Sequence, residues 1–283
     1  MNFMPVRQFD VPAAQRAKGR LALAFRHDPV AACTRIKTFY QQGCLKARLP
    51  RLAAPGMVEA ITINISGGIA GGDSLATEID VGANAAVSVT SQAAERIYRA
   101  LDFLPARLTT RITLGAGAEL DYLPQETILF DGFALERSLE IELAEGANFL
   151  GVESLVFGRQ AMGEQINLGR LNDRILLRRA GTLQLHDVTR LEGDIAAQLG
   201  RKAVAAGNIG MASIIYAGPD IARRLSAIRA ALAGQHIEAG ASAFEGIILI
   251  RILAPTAAAL RTGVVAVLKT CRDDRPLPRS WQG

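Results

Sequence analysis

The feature that most constrains the fold is a threefold echo within residues 77–153. Thr77-Glu78-Ile79-Asp80-Val81 runs through Gly82-Ala83-Asn84 into Ala86–Thr90. Thr110–Leu114 runs through Gly115-Ala116-Gly117-Ala118 into Leu120–Leu123, and Leu139–Leu143 through Glu145-Gly146-Ala147-Asn148 into Leu150–Glu153. Each unit is an amphipathic strand, a glycine turn and a second strand. Aligning Gly82, Gly117 and Gly146 gives spacings of 35 and 29, a degenerate repeat. Recurrent units of this kind predict stacked hairpins in β layers, as in a solenoid, a sandwich or a β-helix.

Strand-like alternation extends over 57–178, in Met57–Ile65, Thr77–Val81, Ala85–Thr90, Arg107–Leu114, Ala118–Leu123, Leu135–Leu143 and Asn148–Phe157. The last third differs. Asp220–Ala233 places Ile221, Leu225, Ile228 and Leu232 on one helical face, with Gly234 as a stop. Thr256–Thr270 reads as a second helix, N-capped by Thr256 and carrying Lys269 near its C-terminal end. Ala243–Leu253 between them reads as a buried strand. The expectation is a mainly β, helical multi-layer fold with two helices in the C-terminal region. No Pro- or Ser-rich linker divides the chain, so residues 1–283 are read as a single domain.

Composition excludes several classes. Apolar residues make up 49% and charged residues 21%, too apolar and too weakly charged for disorder. Aromatics are only 5%, which counts against sugar clefts and base-stacking platforms. The net charge of +5 is carried by arginines spread along the whole chain rather than in a stripe, which argues against nucleic acid as the partner. No run of eighteen apolar residues occurs, so no membrane span is expected. Met1–Asp10 lacks the pattern of a signal peptide, and Cys33, Cys44 and Cys271 form no CxxC pair, which fits a reducing cytoplasm.

Chemistry-bearing motifs are sparse. Ser66-Gly67-Gly68-Ile69-Ala70-Gly71-Gly72-Asp73 lacks the Lys-Ser/Thr of a phosphate loop, and Asp73 would repel phosphate. Gly67, Gly68, Gly71, Gly72 and Asp73 are therefore read as a structural turn, with a docking surface as the alternative. His27, His186 and His236 lie far apart and no HxH or HExxH occurs, so no tight metal cage is visible. Ser91, Ser154 and Ser213 lack a nucleophile elbow. The residues alone reach a β-rich scaffold without a recognisable active site.

Four segments in order carry a more specific signal. They are the Gly67–Asp73 run followed by Thr90-Ser91-Gln92-Ala93-Ala94-Glu95-Arg96-Ile97-Tyr98-Arg99, then Leu123-Pro124-Gln125-Glu126 through Phe130-Asp131, then Phe157-Gly158-Arg159 through Gly163-Glu164, and Leu277-Pro278-Arg279-Ser280-Trp281. Over residues 20–281 the chain resembles the UreD (UreH) family of urease accessory proteins. The resemblance implies a helical multi-layer β fold and a non-enzymatic role. It implies binding of UreF, recruitment of the GTPase UreG, docking on apo-urease and transient passage of nickel, with no tightly bound cofactor. Oxygen ligands suit such passage because they release a borderline ion more readily than thiolates. Glu126, Asp131, Glu153 and Glu164, with Thr90, Ser91 and Gln92, are the candidate weak nickel path. The alternative for these carboxylates is pairing with Arg96, Arg99 and Arg159 to fix turns. Arg223, Arg224, Arg229, Arg279 and Trp281 are candidate partner contacts, since Trp and Arg are the usual interface anchors; a tail with one Trp packing on its own domain is the alternative. The competing functions are a β-helical carbohydrate-active enzyme and a basic nucleic-acid-binding scaffold.

Overall fold

The computed structural model describes residues 15–50, 57–102, 104–159, 163–273 and 275–282; Met1–Asp10 lies outside them. Strands β1 (Lys18–Asp28), β2 (Cys33–Gly43), β5 (Ser74–Val81), β8 (Ala106–Leu114), β11 (Phe133–Leu143), β13 (Leu168–Arg179) and β14 (Thr182–Asp194) form the first sheet, in the order β14-β13-β11-β8-β5-β1-β2. The second contains β3 (Leu45–Arg48), β4 (Met57–Asn64), β6 (Ala86–Ser91), β9 (Glu119–Leu123), β12 (Asn148–Phe157), β15 (Gly210–Ala217), β16 (Glu238–Phe244) and β17 (Ile247–Ala254), in the order β16-β17-β15-β12-β9-β6-β4-β3. Short strands β7 (Glu95–Ile97) and β10 (Thr127–Leu129) join the second sheet beside β12.

The central strands stack in parallel. Val81 lies beside Leu114 and Leu114 beside Leu143 in the first sheet, while Ala86 lies beside Glu119 and Glu119 beside Asn148 in the second. The mainly β, multi-layer coil therefore holds, with one revision. The repeated units are not hairpins, because β5 and β6, β8 and β9, and β11 and β12 sit in opposite sheets. Each unit is an arch that crosses from one sheet to the other, and its hydrogen bonds run to the units above and below.

The arches also correct the glycine alignment. The turns are closed by three equivalent bonds, from the amides of Ala85, Ala118 and Ala147 to the carbonyls of Gly82, Gly115 and Ala144. The left-handed position is the third residue of each, at Asn84, Gly117 and Gly146, with φ of 58°, 66° and 71°. Asn tolerates this region better than other residues with a side chain, so the first member of the column carries no glycine there. The Gly82 of the sequence alignment belongs two positions earlier.

Helices α2 (Ile221–Leu232) and α3 (Ala257–Cys271) fall where the periodicity predicts them. The Thr256 hydroxyl accepts from the Ala259 amide as an N-cap. The single strand expected over Ala243–Leu253 is the hairpin of β16 and β17, turned at Glu245 and Gly246, both with positive φ. A short helix α1 (Ile195–Gly200), capped by Asp194, had no sequence counterpart.

Faces follow from alternation. Along β11 the residues Phe133, Leu135, Leu139, Ile141 and Leu143 point into the space between the sheets. Their neighbours build ion ladders on the outer face, with Arg107 and Arg111 on β8 pairing with Glu136 and Glu140 on β11. Exposed pairs of this kind contribute little each, and they occupy several of the scattered arginines. The outer face of the second sheet is covered by α2, α3 and the C-terminal tail, through Ile228, Leu260, Val264, Val267 and Trp281.

Candidate functional site

The space between the sheets has two ends. At the arch end, Val81, Leu114, Leu143 and Leu177 meet Ala85, Ala118 and Ala147, all essentially inaccessible. At the other end the inward column of the first sheet reads Leu75, Leu108, Arg137, Asp173 across β5, β8, β11 and β13. The facing column of the second sheet reads Glu153, Ser213, Arg251 across β12, β15 and β17. Charges thus occupy positions whose phase would otherwise call for Leu or Ile.

Arg137, Asp173 and Glu153 form one buried cluster. Arg137 Nε and Nη2 donate to the two oxygens of Asp173 at 2.9 and 2.7 Å. Its Nη1 lies 2.6 Å from Glu153 Oε2 and donates to Thr127 Oγ1 at 3.2 Å. Arg137, Glu153 and Asp173 are each less than a tenth exposed. One guanidinium faces two carboxylates, and Asp173 takes it in the bidentate geometry. Burial pushes the Glu153 carboxyl up to about 7; Arg137 opposes this rise and the second carboxylate adds to it.

Two cavities flank the cluster. The first, about 270 Å³, lies among β4, β5, β6, β8 and β9 and is framed at its mouth by Gly67, Gln92 and Arg96. Ser91 and Glu95 also line it, and burial raises the Glu95 carboxyl above its usual range. The second, about 210 Å³, lies among β12, β13, β14, β15 and β17. The residues that line both are Arg137 and Glu153. Since β11 and β12 are the middle layer of the stack, the cavities follow one another along its axis and that pair stands between them.

The candidate residues of the sequence divide on this geometry. Glu153, Ser91 and Gln92 line the first cavity. Thr90 faces away from it, donating to the Leu123 carbonyl at 2.7 Å beside Ser280. Glu126 turns to the helical side, 3.0 Å from Arg261 Nη1. Asp131 ties a loop: it accepts from the Asn167 and Leu168 amides and pairs with Arg99 at 3.0 Å. Burial opposes the Asp131 charge, but those two amides and Arg99 hold the carboxyl below its usual range. Glu164 pairs with Arg159 at 2.8 Å, which lowers its pKa. Among the described residues no group of three or more His, Cys, Asp or Glu side chains is arranged to hold a metal ion.

The glycine run forms the connection between β4 and β5. A Cβ on Gly68 would fall 2.2 Å from the Tyr98 ring, and one on Gly71 would fall 2.5 Å from the Leu104 carbonyl. Gly67 and Gly72 have φ of 79° and 81°. Asp73 is buried and accepts from the Ala17 and Ala70 amides, tying the turn to the start of β1.

The candidate partner contacts also divide. Arg224 is buried, clamps Asp273 at 2.8 and 2.9 Å and lies over the Tyr216 ring. Trp281 is buried too, donating from Nε1 to the Leu123 carbonyl at 2.9 Å under the Arg261 guanidinium. Both anchor the chain to itself, Arg224 through its two Nη groups and Trp281 through Nε1. Arg229 is exposed yet bonds the Ala241 carbonyl; Arg223 pairs with Asp220, and Arg279 is exposed.

Residues that the sequence reading did not single out are Arg137, Asp173 and Thr127. The signal was present: Arg137 and Asp173 fall in phase with the apolar face of their strands.

The model of the family "UreD urease accessory protein" matches residues 17–282. The chain is 42% identical over 267 residues to a urease accessory protein UreD of Xanthobacter autotrophicus, covering 94% of this chain and 90% of that protein. It is 40% identical to those of Rhizobium leguminosarum bv. viciae and Azorhizobium caulinodans, covering 94% and 95% of this chain and 96% and 98% of theirs. With both the family match and these relatives spanning nearly its whole length, the chain belongs to the UreD family of urease accessory proteins.

Proposed function

We propose that the chain serves urease maturation as a scaffold that lets nickel, its cargo, pass through the space between its two sheets. The accessory role comes with the family. The observation that supports the passage is the pair of neighbouring cavities, each with charged and polar side chains in its lining, at one end of an otherwise apolar interior. In this reading UreF binds the chain, the GTPase UreG delivers the ion, and apo-urease receives it, all in the cytoplasm. The chain makes and breaks no covalent bond. Its contribution is a lining of hydroxyl, amide and carboxylate oxygens, including Ser91, Gln92, Glu95 and Glu153, that hold a divalent ion weakly enough to release it.

The test is to fill the first cavity. Thr77 lies on the inward phase of β5 and lines it. Thr77→Trp, in the complex with its partners, is expected to cut nickel loading of apo-urease at least tenfold at unchanged complex yield. Glu126→Ala, on the helical side, is expected to leave loading within twofold. Normal loading through Thr77→Trp would remove the cavity from the route.

A further inference from the structure

The two cavities meet at Arg137 and Glu153, and the pair spans the gap from the first sheet to the second. We propose that Arg137 is the gate of the passage, a guanidinium bar that a divalent cation passes only when Nη1 lets go of Glu153. This rests on the reading of the interior as a nickel route.

Three features support a movable bar rather than a fixed strut. First, the two partners are held unequally. Asp173 is gripped by two parallel bonds, whereas Glu153 and Thr127 share the single nitrogen Nη1. Swinging about the Asp173 clamp therefore breaks one ionic contact, not all of them. Secondly, space is available for the swing, because cavities lie on both sides. In a close-packed interior the same side chain would have nowhere to go. Thirdly, a guanidinium stays protonated at any working pH, so it repels a cation in its path until it moves. Proton loss cannot open this gate; displacement can.

Among the described residues a second arginine bridges the sheets, this one exposed where Arg137 is buried. Arg251 on β17 lines the second cavity and reaches across to Asp187 on β14, again bridging the second sheet to the first. The second cavity is thus lined by two arginines, and Glu153 and Asp173 line it beside Arg137. A cation held there sees two carboxylates and is barred from returning by the same group that admitted it.

The test is a single-turnover time course of nickel transfer to apo-urease in the reconstituted complex. Arg137→Gln removes the charge and shortens the bar, and is expected to raise the transfer rate at least threefold. Arg137→Lys keeps a cation at this point and is expected to stay within twofold of the parent, which separates gating from general loosening. Where Arg137→Gln fails to fold, Arg137→Gln with Asp173→Asn replaces it. That pair leaves the net charge of the triad unchanged and is expected to accelerate transfer in the same way. Thr77→Trp runs alongside as the blocked route. Blocked transfer in Thr77→Trp with unaltered or slower transfer in the folded Gln variants would overturn the gate and leave the conduit standing. Normal transfer in Thr77→Trp would overturn both.

Discussion

The two ends of the inter-sheet space are built from the same strands and differ in kind. At the arch end the inward residues Val81, Leu114 and Leu143 of the central strands are apolar and buried, and the turns repeat bond for bond. At the other end, six residues back along β11, the inward phase carries Arg137, and the interior opens into cavities. Alternation alone would close the coil along its whole length. The exceptions to alternation are where space is kept. The stack is thus held at one end and left free to serve a purpose at the other.

The sharpest way to break this contrast is to remove the buried cation. Arg137→Ala leaves Glu153 and Asp173 without a counter-charge, and an expected loss of about 3–5 kcal/mol would be seen in urea unfolding. A loss below 1 kcal/mol would mean that water already satisfies both carboxylates. Next comes the filled end. Leu114→Ala, at 1% exposure, is expected to cost about 3 kcal/mol through lost burial and a new cavity. Thr77→Ala beside the open chamber should cost less than about 1 kcal/mol, and equal costs would erase the distinction between the ends.

The pH dependence sharpens the comparison from the charged side. The Glu153 carboxyl is raised to about 7 in the folded chain against an ordinary 4.5. Between these values the folded state keeps a proton that the unfolded state has lost, so stability falls as pH rises through the window. Relative to Glu153→Gln, the parent is expected to lose about 3 kcal/mol between pH 4.5 and 7.5. A flat difference would place Glu153 in an environment as polar as water. At the arch end, Gly117→Ala forces a Cβ into the left-handed region, 2.5 Å from Asn84 Oδ1, and is expected to cost about 1–2 kcal/mol by thermal melting. The smallest effect is outside the coil: Arg111→Ala should change stability by less than about 0.5 kcal/mol, since its pair with Glu140 is exposed.

Much of the coil was legible because its physics is local. Period-two alternation located β4, β6, β8, β9, β11 and β12 to within two residues, and a helical stripe located α2 and α3. What misled was pairing. A strand, a tight turn and a strand read as a hairpin, and nothing local says that the two strands bond to other copies rather than to each other. The candidate site was half legible. Ser91 and Gln92 sit in a family-like segment, Glu153 lies four residues before another, and all three line the first cavity. Glu126, Asp131 and Glu164 sit in such segments too, but Arg261, Arg99 and Arg159 claim them. Arg137 and Asp173 lie outside the family-like segments, so no motif pointed to them. Counting phase from Leu135 and Leu139 puts Arg137 inside, and the same count from Leu171 and Ile175 puts Asp173 there.

The bond-for-bond matching of the arches also governs which changes of length the chain can absorb. A residue added between β8 and β9 would shift β9 by one step, turning Leu120 outward and Asp121 inward. Because β9 is the template on which β12 lies, the misfit would be handed to the next coil rather than looped out locally. Insertions should therefore be admitted at the solvent-facing β13–β14 and β16–β17 turns and rejected at Gly82–Ala85, Gly115–Ala118 and Ala144–Ala147, a map of tolerance that a random insertion library would read directly.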